Sequence, residues 1–140
     1  MAKLGVATAA LFLLYFPLAI WVTRSHVNVI PDGEIVVQLV GPFETYNHAN
    51  ISHQKKLDQL SKWADDEAAD PQKSPIVVYE NTVPLGPSHS SFEDIAKKGA
   101  GRYAYWRNGL TFSTSDNSNP GSNGRTYWAV LPKHEPNGAQ

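Results

Sequence analysis

Residues 113–125, from Ser113 to Arg125, carry no aliphatic or aromatic side chain, and they separate two segments rich in aromatics, Arg102–Phe112 and Thr126–Leu131. A polar stretch framed by strand-like segments is a loop that either binds something or bonds to itself. Its upstream flank is the best-defined local signal in the chain. Asn108-Gly109 is the preferred dipeptide of a two-residue type I′ turn, because both central residues need positive φ. The expected hairpin pairs Arg107 with Leu110, Trp106 with Thr111, Tyr105 with Phe112 and Tyr103 with Thr114. Strand alternation then places Tyr103, Tyr105, Leu110 and Phe112 on a core face. Ala104, Trp106, Thr111 and Ser113 take the other. Trp106 is the one large aromatic on that second face, either beneath a helix or open to a ligand.

Further strands are expected at 34–40 and 76–80, where β-branched residues lie between turn residues. The 126–131 segment supplies a last strand. A short return strand over 83–86 is confined to a sheet edge by Pro84. Pro31 and Gly33 fit a type I turn that could join residues 26–30 to the 34–40 strand in a hairpin. Residues 43–50 receive no regular structure, and the sequon at Asn50 carries little weight in isolation.

Two helices are expected. Residues 52–70 repeat Leu57, Leu60 and Ala64 at helical spacing, with Trp63 beside them. Lysines near the start and Asp65, Asp66 and Glu67 near the end oppose the helix dipole, so packing must hold this helix or its last turn frays. The acidic cluster reads as a solvated face, since consecutive carboxylates diverge around a helix. In the second, Ser90 and Glu93 form a capping box and Gly99 is the stop.

Near the N-terminus, Leu4 to Val22 is a run of 19 residues without a charge. As a helix it would be about 28 Å long, close to the hydrocarbon thickness of a bilayer. Trp21 stands where an interfacial anchor belongs. The run is longer than a signal-peptide core and lacks a small-residue cleavage pattern. It therefore reads as a retained single-pass anchor contacting lipid through 4–22. Lys3 and the acidic residues Asp32 and Glu34 lean towards a cytoplasmic N-terminus and a periplasmic domain. About 115 residues remain outside it, enough for one small domain.

A net charge of −1 points away from nucleic acid, and the absence of cysteine excludes disulfides, thiolate metal sites and a cysteine nucleophile. The polar loop has three readings. Asp116, Ser118 and Gly121 have the spacing of a calcium-loop start, but Pro120 occupies a liganding position and no glutamate closes the pattern. Alternatively, Asp116, Asn117, Asn119, Asn123 and Arg125 could bond a glycan whose ring stacks on Trp106 or Trp128. The blander third reading is a loop bonded to its own backbone through Asx and ST turns. A hydrolase triad of Ser88, Ser90 or Ser91 with His89 and Asp116 lacks a nucleophile elbow, and no catalytic role, metal or cofactor is assigned.

Residues 76–127 contain Tyr79-Glu80-Asn81, Leu85 to His89, Asp94-Ile95, Gly99 to Tyr103, Trp106, Phe112 to Pro120 and Asn123 to Arg125. This set resembles a short C-terminal module of bacterial proteins linked to cell-surface carbohydrate metabolism, with Thr82 in place of an expected glycine. The resemblance implies an accessory, sugar-related, β-rich module.

The resulting expectation is an α+β chain with three parts: an N-terminal transmembrane helix (1–24), an antiparallel β-rich domain with two short helices (25–131) and a disordered tail (132–140). It would sit in a bacterial inner membrane as a non-catalytic binding or accessory domain. The ligand-binding candidates are Trp106, Asp116, Asn117, Asn123, Arg125 and Trp128. The competing expectation is an accessory subunit of a larger integral membrane complex.

Overall fold

The structure is a computed structural model that describes residues 29–66, 69–107 and 109–133. Eight strands form two antiparallel four-stranded sheets. The first has the order β1 (Ile35–Leu39), β8 (Tyr127–Leu131), β4 (Val77–Glu80), β5 (Val83–Pro84). The second has the order β2 (Glu44–Tyr46), β3 (Ala49–Ser52), β7 (Gly109–Phe112), β6 (Tyr103–Trp106).

The sheets share one core. From the first come Val37, Leu39, Val78, Tyr127, Ala129 and Leu131, and from the second Tyr103, Tyr105, Leu110 and Phe112. These are alternate residues on each strand, as a sheet with one buried face requires. Phe112 lies between Phe43 and Tyr127, with ring centroids 5.4 and 5.1 Å away. Leu57 and Leu60 close one side of the core. The Tyr105 hydroxyl donates to the Leu57 carbonyl at 2.8 Å, so the buried phenol is satisfied.

A second, smaller cluster forms on the outer face of the second sheet. The single α-helix among the described residues, α1 (Phe92–Lys97), lays Ile95 and Ala96 over Ala49 and Ala104, with Trp106 at the margin. Small residues on the strands let the helix approach closely. Gly99 follows its C-cap with φ +59 and ends it.

These observations correct the expected architecture. The described residues form a two-sheet β domain with few helical residues rather than the expected α+β domain. The anchor expected over 4–22 lies outside the described residues, and among those described no helix is long and apolar enough to cross a membrane. The tail expected from 132 lies outside them from 134 onward. The long helix over 52–70 is instead a 3-10 helix, Lys55–Trp63, that ends when Ala64 becomes extended. The Asp65 backbone N–H then bonds to the Tyr105 carbonyl at the sheet rim. Strand β1 pairs with β8, and the described residues before it, 29–34, form no strand; the rest of the expected 26–30 partner lies outside the described residues. Residues 43–50 form most of a hairpin, turning at Asn47 with φ +51. Asn50 in that hairpin is buried and its amide bonds to the backbone of β7, so the sequon is closed to modification.

The 103–112 hairpin forms with a different register. Trp106 faces Gly109, Tyr105 faces Leu110 and Tyr103 faces Phe112. Gly109 is therefore a strand residue, and the connection is residues 107–108. Relative to the expected pairing the partner strand moves by two residues. A shift of two preserves which side chains face inward, because the strand period is two.

Candidate functional site

The polar loop folds around Glu80 at the end of β4. Glu80 is 8% exposed and accepts from the Ser115 backbone N–H (3.1 Å), the Ser115 hydroxyl (2.6 Å), Arg125 (3.2 Å) and the Tyr127 hydroxyl (3.1 Å). Arg125 also grips Asp116 through both terminal nitrogens, at 2.8 and 2.6 Å. This forked arrangement is the strongest form of a guanidinium–carboxylate bond. Asp116 in turn accepts from the Ser118 N–H and hydroxyl. Its carboxyl is held well below the usual range, first by the Arg125 hydrogen bonds and then by those of Ser118. Arg125 is raised above its ordinary value, chiefly by Asp116. Burial pushes the Tyr127 phenol up to about 12.

The asparagines are equally committed. Asn117, at φ +63, accepts the Ala100 N–H at 2.7 Å and ties the loop to the end of α1. Asn119 accepts from the Gly121 N–H. Asn123 donates to Ser118 and to the Tyr127 hydroxyl, and accepts the Arg125 N–H. The self-bonded reading therefore describes this loop. Asp116 is occupied by Arg125, which leaves no carboxylate for a calcium loop, and the described residues contain no group of three potential metal ligands.

The six candidate residues do not converge. Asp116, Asn123 and Arg125 bond to one another, and Asn117 is turned to the Ala100 N–H. Trp128 alternates with core-facing Tyr127 and Ala129, so it lies on the outer face of the first sheet, in register with Gln38 and Tyr79. It is buried there, and its indole N–H has no partner among the described residues. Trp106 lies on the outer face of the second sheet. The two tryptophans thus belong to opposite sides of the domain.

Trp106 nevertheless stands in the most suggestive surroundings. It is half-buried and forms the wall between two clefts. One, of about 360 Å³, is lined by His89, Ser91, Phe92 and Trp106. The other, of about 350 Å³, is lined by Ile51, His53, Asp65, Arg107, Gly109, Thr111 and Trp106. Gly109 matters here for its missing side chain. A Cβ at that position would press on the His53 ring at 3.2 Å and fill the space opposite Trp106.

Beneath Trp106 lies a pair that the sequence does not announce. The His89 Nδ1 is 2.9 Å from Asp65 Oδ2, and the Asp65 side chain is fully buried. The other carboxylate oxygen accepts the Ser74 N–H at 2.7 Å. His89 has φ +54, a conformation that side-chain-bearing residues rarely adopt. The carboxylate beside His89 is therefore Asp65 and not Asp116. The neighbouring serines are engaged elsewhere. Ser90 donates to the Pro87 carbonyl, and Ser91 (not Ser90) caps α1 by accepting the Asp94 N–H at 3.1 Å. Nothing in the residue pattern separates Asp65 from Asp66 beside it. The signal is the extended backbone at Ala64, which exists only in the folded chain.

No family model, curated protein or solved structure matches the chain.

Proposed function

We propose that this domain is a binding module whose ligand is a hydroxylated ring, of the kind found in glycans, stacked on Trp106. The observation that carries the reading is Trp106 itself, an aromatic wall between two open clefts that also hold polar side chains. Sugar rings present apolar C–H faces and polar edges, so they need a flat aromatic beside hydrogen-bonding groups. His89, His53, Arg107 and Thr111 supply the second requirement. The likeness of residues 76–127 to a sugar-related accessory module supports the same class of ligand.

This reading moves the site from the polar loop to the groove around Trp106. The loop's role becomes structural, holding the ends of β4, β7 and β8 together. The test is calorimetric titration of the full chain with cellotetraose, chitotetraose and maltotetraose. Trp106→Ala is expected to weaken binding by about thirtyfold, the loss typical of a central aromatic anchor. Arg125→Lys is expected to leave affinity unchanged. Binding that survives Trp106→Ala would sink the proposal.

A further inference from the structure

The Asp65–His89 pair does more than ring stacking requires. Asp65 is a fully buried carboxylate that uses one oxygen on a backbone N–H and the other on an imidazole. A carboxylate accepts, so the His89 Nδ1 carries the proton and donates it to Asp65. In the neutral ring the lone pair is then on Nε2. Nδ1 is held by the buried Asp65 carboxylate and His89 lines the cleft beside Trp106, so Nε2 is the ring nitrogen left to serve that cleft. It has no hydrogen-bond partner among the described residues. The positive φ at His89 is a departure from relaxed backbone of the sort that collects at functional sites.

We propose that His89, positioned by Asp65, is a general base that activates water to hydrolyse an acyl ester on a ring stacked against Trp106. The proposal rests on the stacking reading above. The residues lining the clefts select this chemistry. Cleavage of a glycosidic bond uses two carboxylates across the bond, whereas the one carboxylate here, Asp65, faces His89. An imidazole fixed by a buried carboxylate is the arrangement that drives acyl transfer. The attacking group is water and not serine. Ser90 bonds to Pro87, Ser91 caps α1, and Ser88 does not line either cleft.

In the reaction, Nε2 takes a proton from water as the water oxygen bonds to the ester carbonyl carbon. The carbonyl electron pair moves onto oxygen. It returns as the bond from that carbon to the ester oxygen carried on the sugar ring breaks, and the proton on Nε2 passes to that departing alkoxide. Ester and water become carboxylic acid and alcohol, with no change in oxidation state.

The experiment measures acetate released from fully O-acetylated methyl glucoside by the full chain. His89→Asn is expected to lower the rate about 10²- to 10⁴-fold, the usual contribution of a general base. If that variant does not fold, as judged by its thermal melt, diethyl pyrocarbonate treatment of the unaltered protein serves instead. Carbethoxylation mapped to His89 by peptide mass should stop acetate release, and hydroxylamine should restore it. No release by the unaltered protein overturns the proposal. So does undiminished release by folded His89→Asn or by fully carbethoxylated protein. Oligosaccharide binding without ester hydrolysis removes the dyad proposal and leaves the stacking reading standing. Binding that is indifferent to Trp106→Ala removes the stacking reading.

Discussion

The loop around Glu80 and the groove around Trp106 are both built on a buried carboxylate, and they use it in opposite ways. Glu80 accepts four hydrogen bonds from Ser115, Arg125 and Tyr127. Around it Asp116 and Asn119 bond to their own loop, Asn123 to the loop and Tyr127, and Asn117 to Ala100. Asp65 accepts two, from Ser74 and His89, and passes its influence through an imidazole to an open cleft. The first region is rich in polar groups and has spent them. The second also carries polar groups, and it leaves a ring nitrogen of the held imidazole beside an aromatic wall. What marks a candidate site is thus an uncommitted polar atom held in place, and not polar composition.

The strongest way to break this contrast is to remove Glu80. Glu80→Ala leaves the Tyr127 hydroxyl, the Ser115 N–H and Arg125 without their shared acceptor. Leaving a buried polar group unsatisfied costs about 1–3 kcal/mol, and with several donors losing the same buried acceptor a loss at or above the top of that range is expected in urea unfolding. The dissociation constant at the Trp106 groove should stay the same for the protein that remains folded. A large change in that constant would show that the two regions are coupled.

A smaller effect is expected where the loop touches α1. Gly99 has φ +59, and a side chain there would collide with the amide of Asn117. Gly99→Ala places an L-residue in the left-handed region, at about 1–2 kcal/mol before the clash is added. The Asn117 bond to Ala100 should weaken with it. Faster hydrogen exchange at the Ala100 amide would report that loss, and an unchanged exchange rate would argue against the link.

The smallest expected effects appear on titration. The Asp116 carboxyl is depressed in the folded protein from its ordinary 3.8, by Arg125 first. A depressed carboxyl stabilises the fold above the unfolded value and loses that contribution as pH falls from 3.8 towards the folded value. The stability difference between the unaltered protein and Asp116→Asn should therefore be flat above about pH 5 and shrink below pH 4. Burial raises Tyr105 and Tyr127 to about 12. Their neutral forms favour the fold up to about pH 10, and that contribution fades between pH 10 and 12. Alkaline unfolding of Tyr127→Phe that begins no later than in the unaltered protein would count against this assignment for Tyr127.

Much of the fold follows from local pattern. Pro84 on the edge strand β5 obeys the rule that proline cannot donate to a ladder. The alternation of Tyr103, Tyr105, Leu110 and Phe112 fixes their face even though the strands pair two residues out of the register that Asn108-Gly109 suggests. The capping residue of α1 is Ser91 where Ser90 was the sequence-based expectation, a difference that two adjacent serines cannot resolve. The 3-10 helix is the clearest departure. Helical spacing of Leu57 and Leu60 is real and both are buried, but the period does not say where the turn tightens or stops.

The sequence by itself determined the strand faces, the core aromatics and the polar loop, because these depend on period and composition within a short window. Tertiary structure decided the pairing of β1 with β8, the joining of Arg125 to both Asp116 and Glu80, and the meeting of Asp65 with His89. Those contacts link residues far apart in the chain or turn on a single backbone change, as at Ala64. A carboxylate acquires its chemistry from burial and from what lies opposite it, and neither is a property of its neighbours in sequence.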